Sequence, residues 1–91
     1  MSTQVVAQLR SALEQAFAPA TLEIFDDSAA HAGHAGSRGG GHFRVRIVAE
    51  AFRGRSQLER HRLVYAAVAP LLSGGAVHAL NIVARAPEES A

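Results

Sequence analysis

The sequence predicts a single α+β domain with the order helix, strand, strand, helix, strand and a three-stranded mixed sheet. Three observations lead to this prediction. The first residues repeat apolar side chains at helical spacing, the stretch HFRVRIVAE alternates as a strand does, and a capped helix is followed by the strand-like stretch AVHALNIVARA. A chain of 91 residues is about the length of one domain with one hydrophobic core.

The first helix is expected over about residues 3 to 17, because its apolar residues share one face and Pro19 ends the repeat. The stretch TLEIFDD is rich in strand-forming residues and predicts a strand from Thr21 to about Asp26. Residues 28–41, mostly Ala, Gly, Ser and His, show no period. We therefore expect a long flexible loop there.

Alternation in the second strand separates an apolar side from a polar, locally basic side. The apolar side carries Phe43, Val45 and Ile47, and the other carries His42, Arg44 and Arg46. The same rule applied to the third strand places His78 on the side of Leu80, Ile82 and Ala84. Residues 86–91 are expected to form a loose tail.

The second helix is expected to start at a capping box formed by Ser56 and Glu59 and to end before Gly74. Pro70 should disturb its last turn. Its predicted apolar arc consists of Leu58, Val64, Tyr65, Val68, Leu71 and Leu72, with His61 near the middle. Arg60 and Arg62 flank this arc, with their charged heads expected in water.

The predicted topology brings distant histidines together. The first two strands should pair antiparallel, and the strand, helix, strand unit should return parallel through a right-handed crossover. The end of the first strand and the starts of the other two then lie at one end of the sheet. His31, His34, His42 and His78 should therefore share one neighbourhood.

Composition narrows the classes of function. The formal net charge is only +1, and no apolar run is long enough to span a membrane, so we expect a cytoplasmic protein without strong overall attraction to nucleic acid. The chain has no Cys, which excludes thiol nucleophiles and leaves His and carboxylates as metal ligands. No catalytic triad, phosphate loop or HExxH motif is present, so we expect a protein that is not an enzyme.

Two groups of side chains remain as candidate sites. His31 and His34 could reach a metal from a flexible loop, although the tract by itself favours a solvated connector. Arg53, Arg55, Arg60 and Arg62 cluster at the start of the second helix and could meet phosphate. Glu50 and Glu59 lie close to them in sequence, which favours an ordinary solvated face.

The segments DDSAAH, GGHFRVRIVAEAF, RGRSQLERHRLVYAAV and VHALNI resemble the BolA family in order and spacing over nearly the whole chain. The resemblance implies a compact αββαβ fold similar to a class II KH domain. It also implies a binding role, monomeric alone, in which the protein pairs as a heterodimer with a monothiol glutaredoxin. The pair would share a 2Fe-2S cluster held by the glutaredoxin's cysteine, by glutathione and by histidine from this chain.

The family pattern assigns one ligand to His78 and the second to His31, with His34 as its rival. It leaves His42 out as a ligand. Because imidazole must be neutral to bind metal, assembly should weaken below about pH 6.5. The alternative function is DNA binding and transcription regulation, using the KH-like fold and the four arginines of the second helix.

Overall fold

The computed structural model describes residues 2–27 and 41–89. The chain begins with a helix α1 (Ser2–Phe17), followed by the strands β1 (Thr21–Asp26) and β2 (Gly41–Val48). After them come a 3-10 turn (Glu50–Phe52), the helices α2 (Gln57–Ala67) and α3 (Ala69–Ser73), the strand β3 (Val77–Arg85) and a second 3-10 turn (Pro87–Glu89). Within these described parts, no helix has the length and hydropathy that crossing a membrane requires.

The three strands form one mixed sheet in the order β1-β2-β3. β1 is antiparallel to β2, and β2 is parallel to β3. The predicted α+β architecture is therefore confirmed. The predicted loop before β2 lies outside the described residues, apart from Gly41, which belongs to the strand.

The core lies between the helices and one face of the sheet. Alternation in β2 buries Phe43, Val45 and Ile47, as predicted, and leaves Arg44 and Arg46 exposed. The rest of the buried cluster comes mainly from the helices, the 3-10 turn and β3. It consists of Leu9 and Leu13 of α1, Phe52 of the 3-10 turn, Val64 of α2, Val68 between α2 and α3, and Val77, Leu80, Ile82 and Ala84 of β3. On the opposite face of the sheet, none of the helices among residues 2–27 and 41–89 packs, and the strand side chains there are largely exposed.

The capping box at the start of α2 forms as predicted. The Glu59 amide donates to Ser56 Oγ over 3.1 Å, and the Ser56 amide donates to Glu59 Oε1 over 2.9 Å. These bonds satisfy amides that a helix leaves without intrahelical partners. The preceding turn passes through Gly54 at φ +73°, a conformation that residues with a Cβ rarely adopt.

Pro70 interrupts the second helical region, as its missing amide predicts. α2 ends at Ala67, and α3 begins at Ala69 with the proline in its first turn. The first turn is where the absent N–H costs no intrahelical hydrogen bond. One expected helix thus becomes two.

The predicted apolar arc of α2 is wrong at two positions. Leu58 is 59% exposed and Tyr65 is 39% exposed, whereas Arg60 is only 4% exposed. The buried stripe runs through Arg60, Val64 and Val68 at a spacing of four residues. The charged head of Arg60, expected in water, is instead inside the protein because it finds polar partners there.

The predicted loose C-terminal tail is wrong for residues 86–89, which are ordered. Ala86 is fully buried, and residues Pro87–Glu89 form a turn. Glu89 Oε1 accepts hydrogen bonds from the Ala86 amide over 3.0 Å and from Arg60 over 2.6 Å. A charge-assisted contact with a buried arginine therefore orders a segment whose local sequence suggested mobility.

Candidate functional site

Two histidines meet at the end of the sheet where β2 and β3 begin. The ring centroids of His42 and His78 lie 5.3 Å apart, and the rings are tilted by 54° to one another. The predicted gathering is confirmed for these two residues. His31 and His34 lie outside the described residues.

His78 is on the other face of the sheet from the one expected. Gly41 pairs with Val77 and His42 pairs with Ala79, so His78 is the extra residue of an irregularity in the parallel ladder. Val77 and Leu80 are both buried, whereas His78 is exposed. Because a bulge breaks the two-residue alternation, it turns the imidazole of His78 away from the core and toward solvent.

His42 is the residue that sequence reasoning left out of the site. Its own alternation places it on the exposed side of β2, which is the side to which the bulge turns His78. The predicted strand pairing already placed His42 in the neighbourhood of His78. His42 was left out only as a ligand, because the family pattern assigns the ligands to His78 and to the loop.

A cleft of about 310 Å³ adjoins His42. It is lined by Asp27, His42, Phe43, Arg44, Ala79, Leu80 and Asn81. The carboxylate of Asp27 accepts a hydrogen bond from Arg44 Nε over 2.6 Å, and its backbone amide donates to the His42 oxygen over 2.7 Å. The cleft therefore combines imidazole with a neutralised carboxylate, and the Asp27 backbone is tied to β2.

The donor set fits an iron–sulfur cluster shared with another molecule better than a cluster held by this chain alone. Within residues 2–27 and 41–89, no group of three or more His, Asp or Glu side chains could hold a metal ion. Imidazole is an established ligand of iron–sulfur clusters alongside thiolate. His78 and His42 could supply imidazole to such a cluster, while the thiolates would have to come from another molecule because this chain has no Cys.

Arg60, predicted as a phosphate contact, is committed to contacts within the protein. Its guanidinium donates to the backbone oxygens of Arg55 and Ala84, each over 2.9 Å. It also donates to both carboxylate oxygens of Glu89, over 2.6 and 2.9 Å. With 4% of its surface exposed, Arg60 is not presented to a nucleic acid.

The other three arginines of the predicted cluster differ in their partners. Arg53 donates to both carboxylate oxygens of Glu50 over 2.9 Å and forms an ion pair with Glu88. Arg55 donates through Nε to the Ala51 oxygen over 3.0 Å. Arg55 and Arg62 are exposed on the surface. The four residues thus do not form one continuous cationic surface.

Ion pairs near the C-terminal turn lower the pKa of two carboxyl groups, those of Glu89 and Glu50. Hydrogen bonds from Arg60 and from the Ala86 amide lower the pKa of Glu89 to about 2. The hydrogen bonds from Arg53 lower the pKa of Glu50 as well. These carboxylates keep their charge at neutral pH and neutralise Arg53 and Arg60, two of the four arginines that the sequence alone suggested for phosphate binding.

Comparison with known proteins agrees with the order of elements and with the sequence motifs. The family model described as BolA-like protein matches residues 13–89. Human BolA-like protein 1 is 49% identical over 85 residues, covering 93% of this chain and 60% of its own length. The solved BolA domain of SufE1 from Arabidopsis thaliana is 44% identical, with a TM-score of 0.79 and coverage of 91% of this chain and 92% of that domain.

This chain spans only part of the length of its full-length relatives, and the fraction differs between them. It covers 60% of the human protein and 24% of the SufE-like protein 1 of Arabidopsis thaliana, which is 44% identical over 88 residues. The shared part is thus the domain itself. The match to the family model over most of the chain, the identity to these relatives and the common fold lead to one conclusion: the chain belongs to the BolA-like family.

Proposed function

We propose that the chain is an adaptor that binds a monothiol glutaredoxin and contributes imidazole to a 2Fe-2S cluster shared with that partner and glutathione. The observation that carries the proposal is the exposed position of His78, which a bulge turns out of the core beside a second imidazole and an open cleft. Similarity to the BolA domain of a SufE-like protein supports a role related to iron–sulfur clusters.

The chemistry of this chain fits a protein that supplies a ligand to a cluster but does not hold the cluster by itself. Without Cys it offers no thiolate, yet an exposed imidazole can replace one thiolate in a cluster that another protein brings. Such a replacement removes negative charge from the cluster and raises its reduction potential, as in Rieske centres. The functional consequence would be a cluster that is easier to reduce in the pair than in glutaredoxin alone.

The test is to mix the purified chain with cluster-loaded monothiol glutaredoxin and to follow visible absorption and circular dichroism. We expect the native chain to change both spectra and His78→Ala to abolish or strongly reduce the change. Replacing His31 and His34 together tests the loop ligand. His61→Gln, on α2, is the matched control and should behave as the native chain does. Unchanged spectra with the native chain, or the same change with His78→Ala, would refute the proposed ligation.

Nucleic-acid binding receives less support from the contacts of the arginines. Of the four arginines in the predicted cluster, Arg53 and Arg60 are paired with carboxylates, whereas Arg55 and Arg62 are exposed and have no carboxylate hydrogen bond among those of the described residues. A mobility-shift assay at physiological salt with the double variant Arg55→Ala and Arg62→Ala separates the two functions. Binding by the native chain that the double variant loses would favour the nucleic-acid function.

A further inference from the structure

The spacing of the two imidazoles is that of a metal chelate. An ion bound at about 2.0–2.1 Å by one nitrogen of each ring, in tetrahedral geometry, holds the two ring centroids about 5 Å apart. The centroids of His42 and His78 are 5.3 Å apart. Rings that only pack against each other also lie at such distances, and the tilt of 54° shows that these two are not stacked face to face. A titration with metal therefore distinguishes a chelating pair from a packing contact.

The backbone under both rings is held by the sheet. His42 lies in the central strand β2, where its carbonyl accepts a hydrogen bond from the Asp27 amide over 2.7 Å. The Gly41 amide donates to the Ala76 oxygen over 3.2 Å, which joins the two chain segments just before the histidines. A site on paired strands loses less conformational entropy on binding than one on a glycine-rich loop.

The surroundings suit a divalent transition-metal ion with open coordination positions. Imidazole is a favoured ligand of zinc, cobalt, nickel and copper. Asp27 lines the same cleft, but its carboxylate is held by Arg44 over 2.6 Å, so it is not available as a ready third ligand. The remaining positions would be filled by water or by a donor from a partner.

We propose that His42 and His78 form a two-imidazole site that binds a divalent first-row transition-metal ion in the chain by itself. The site does not depend on glutaredoxin, on a cluster or on the loop histidines. It assigns a binding role to His42, which the motif pattern leaves out as a ligand. The proposal therefore stands or fails separately from the proposed function.

The experiment is a titration of the purified chain with Co²⁺, followed by visible absorption, and a parallel titration with diamagnetic Zn²⁺, followed by NMR of the imidazole nitrogens. We expect the resonances of His42 and His78 to shift together. His42→Gln and His78→Gln should each weaken binding by at least about tenfold, since each removes one of two ligands. The matched control is the double variant His31→Gln and His34→Gln, which should bind within about twofold of the native chain.

Three results would overturn the proposal. The first is native affinity in His42→Gln, and the second is the absence of shifts at His42 and His78. The third is a loss of binding in the loop double variant as complete as in His42→Gln. Because both rings sit on the solvent side of the sheet, the variants should fold, and an unchanged amide NMR spectrum verifies this. Cluster spectra with glutaredoxin are a different readout and report on the proposed function alone.

Discussion

Arg60 and Glu89 form a two-point ion pair that joins the first turns of α2 to the C-terminal turn. Both terminal nitrogens of the guanidinium contact the carboxylate, over 2.6 and 2.9 Å. The arginine is buried, whereas the carboxylate is partly exposed. The pair gives the buried guanidinium a counter-charge and ties the C-terminal turn to α2.

Glu89→Gln should lower the thermal midpoint by several degrees, because it leaves the buried Arg60 without its counter-charge. Glu88→Gln is the matched control. Its pair with Arg53 is half-exposed on both sides and should contribute little. Thermal unfolding at pH 7 compares the two variants, and equal midpoints would show that burial of Arg60 does not depend on Glu89.

The same pair predicts a pH dependence. The pKa of Glu89 is lowered to about 2 in the folded chain, against about 4.3 for an unperturbed glutamate. A carboxyl with a depressed pKa contributes stability above its unfolded pKa and loses it as pH falls toward the folded value. The stability difference between native chain and Glu89→Gln should therefore be constant from pH 7 to 5 and shrink from about pH 4 to 2. Urea unfolding at several pH values measures it, and a gap that persists at pH 2 would contradict the assignment.

Ile47→Ala should cost about 2–5 kcal/mol in free energy of unfolding, because it opens a cavity under the central strand. Ile47 is fully buried, as are its neighbours Leu13 and Val64 in the core cluster. Val83→Ala, on the exposed face of β3, is the control and should cost well under half as much. Urea denaturation gives both values, and similar losses would mean that the two faces of the sheet are not distinct.

Ser56→Ala should lower the free energy of unfolding by about 1 kcal/mol, since it removes the oxygen that accepts the Glu59 amide at the start of α2. Ser73→Ala is the control because its hydroxyl makes only a 3.5 Å contact with the Pro70 oxygen. Equilibrium unfolding in urea compares the variants. A Ser56→Ala chain as stable as the control would indicate that the cap contributes nothing net.

Local patterns in the sequence were sufficient to predict most of the fold. β1 spans the predicted residues, β2 buries the predicted side, and α2 begins at the predicted capping box. These features depend on alternation, helical spacing and short-range hydrogen bonds, all of which act within a few residues. The family motifs, from HF at the start of β2 to VHAL at the start of β3, likewise lie in the linear sequence.

Contacts between distant segments decided the rest. The bulge opposite Gly41 and His42 turned His78 out of the core, and strand pairing placed its ring beside His42. Glu89, 29 residues from Arg60, supplies the carboxylate that pairs with the buried guanidinium. Sequence periodicity shows which side chains of one element share a face. It does not show which distant residue pairs with a buried charge, or where the pairing of two strands becomes irregular. Only the tertiary structure brings these partners together.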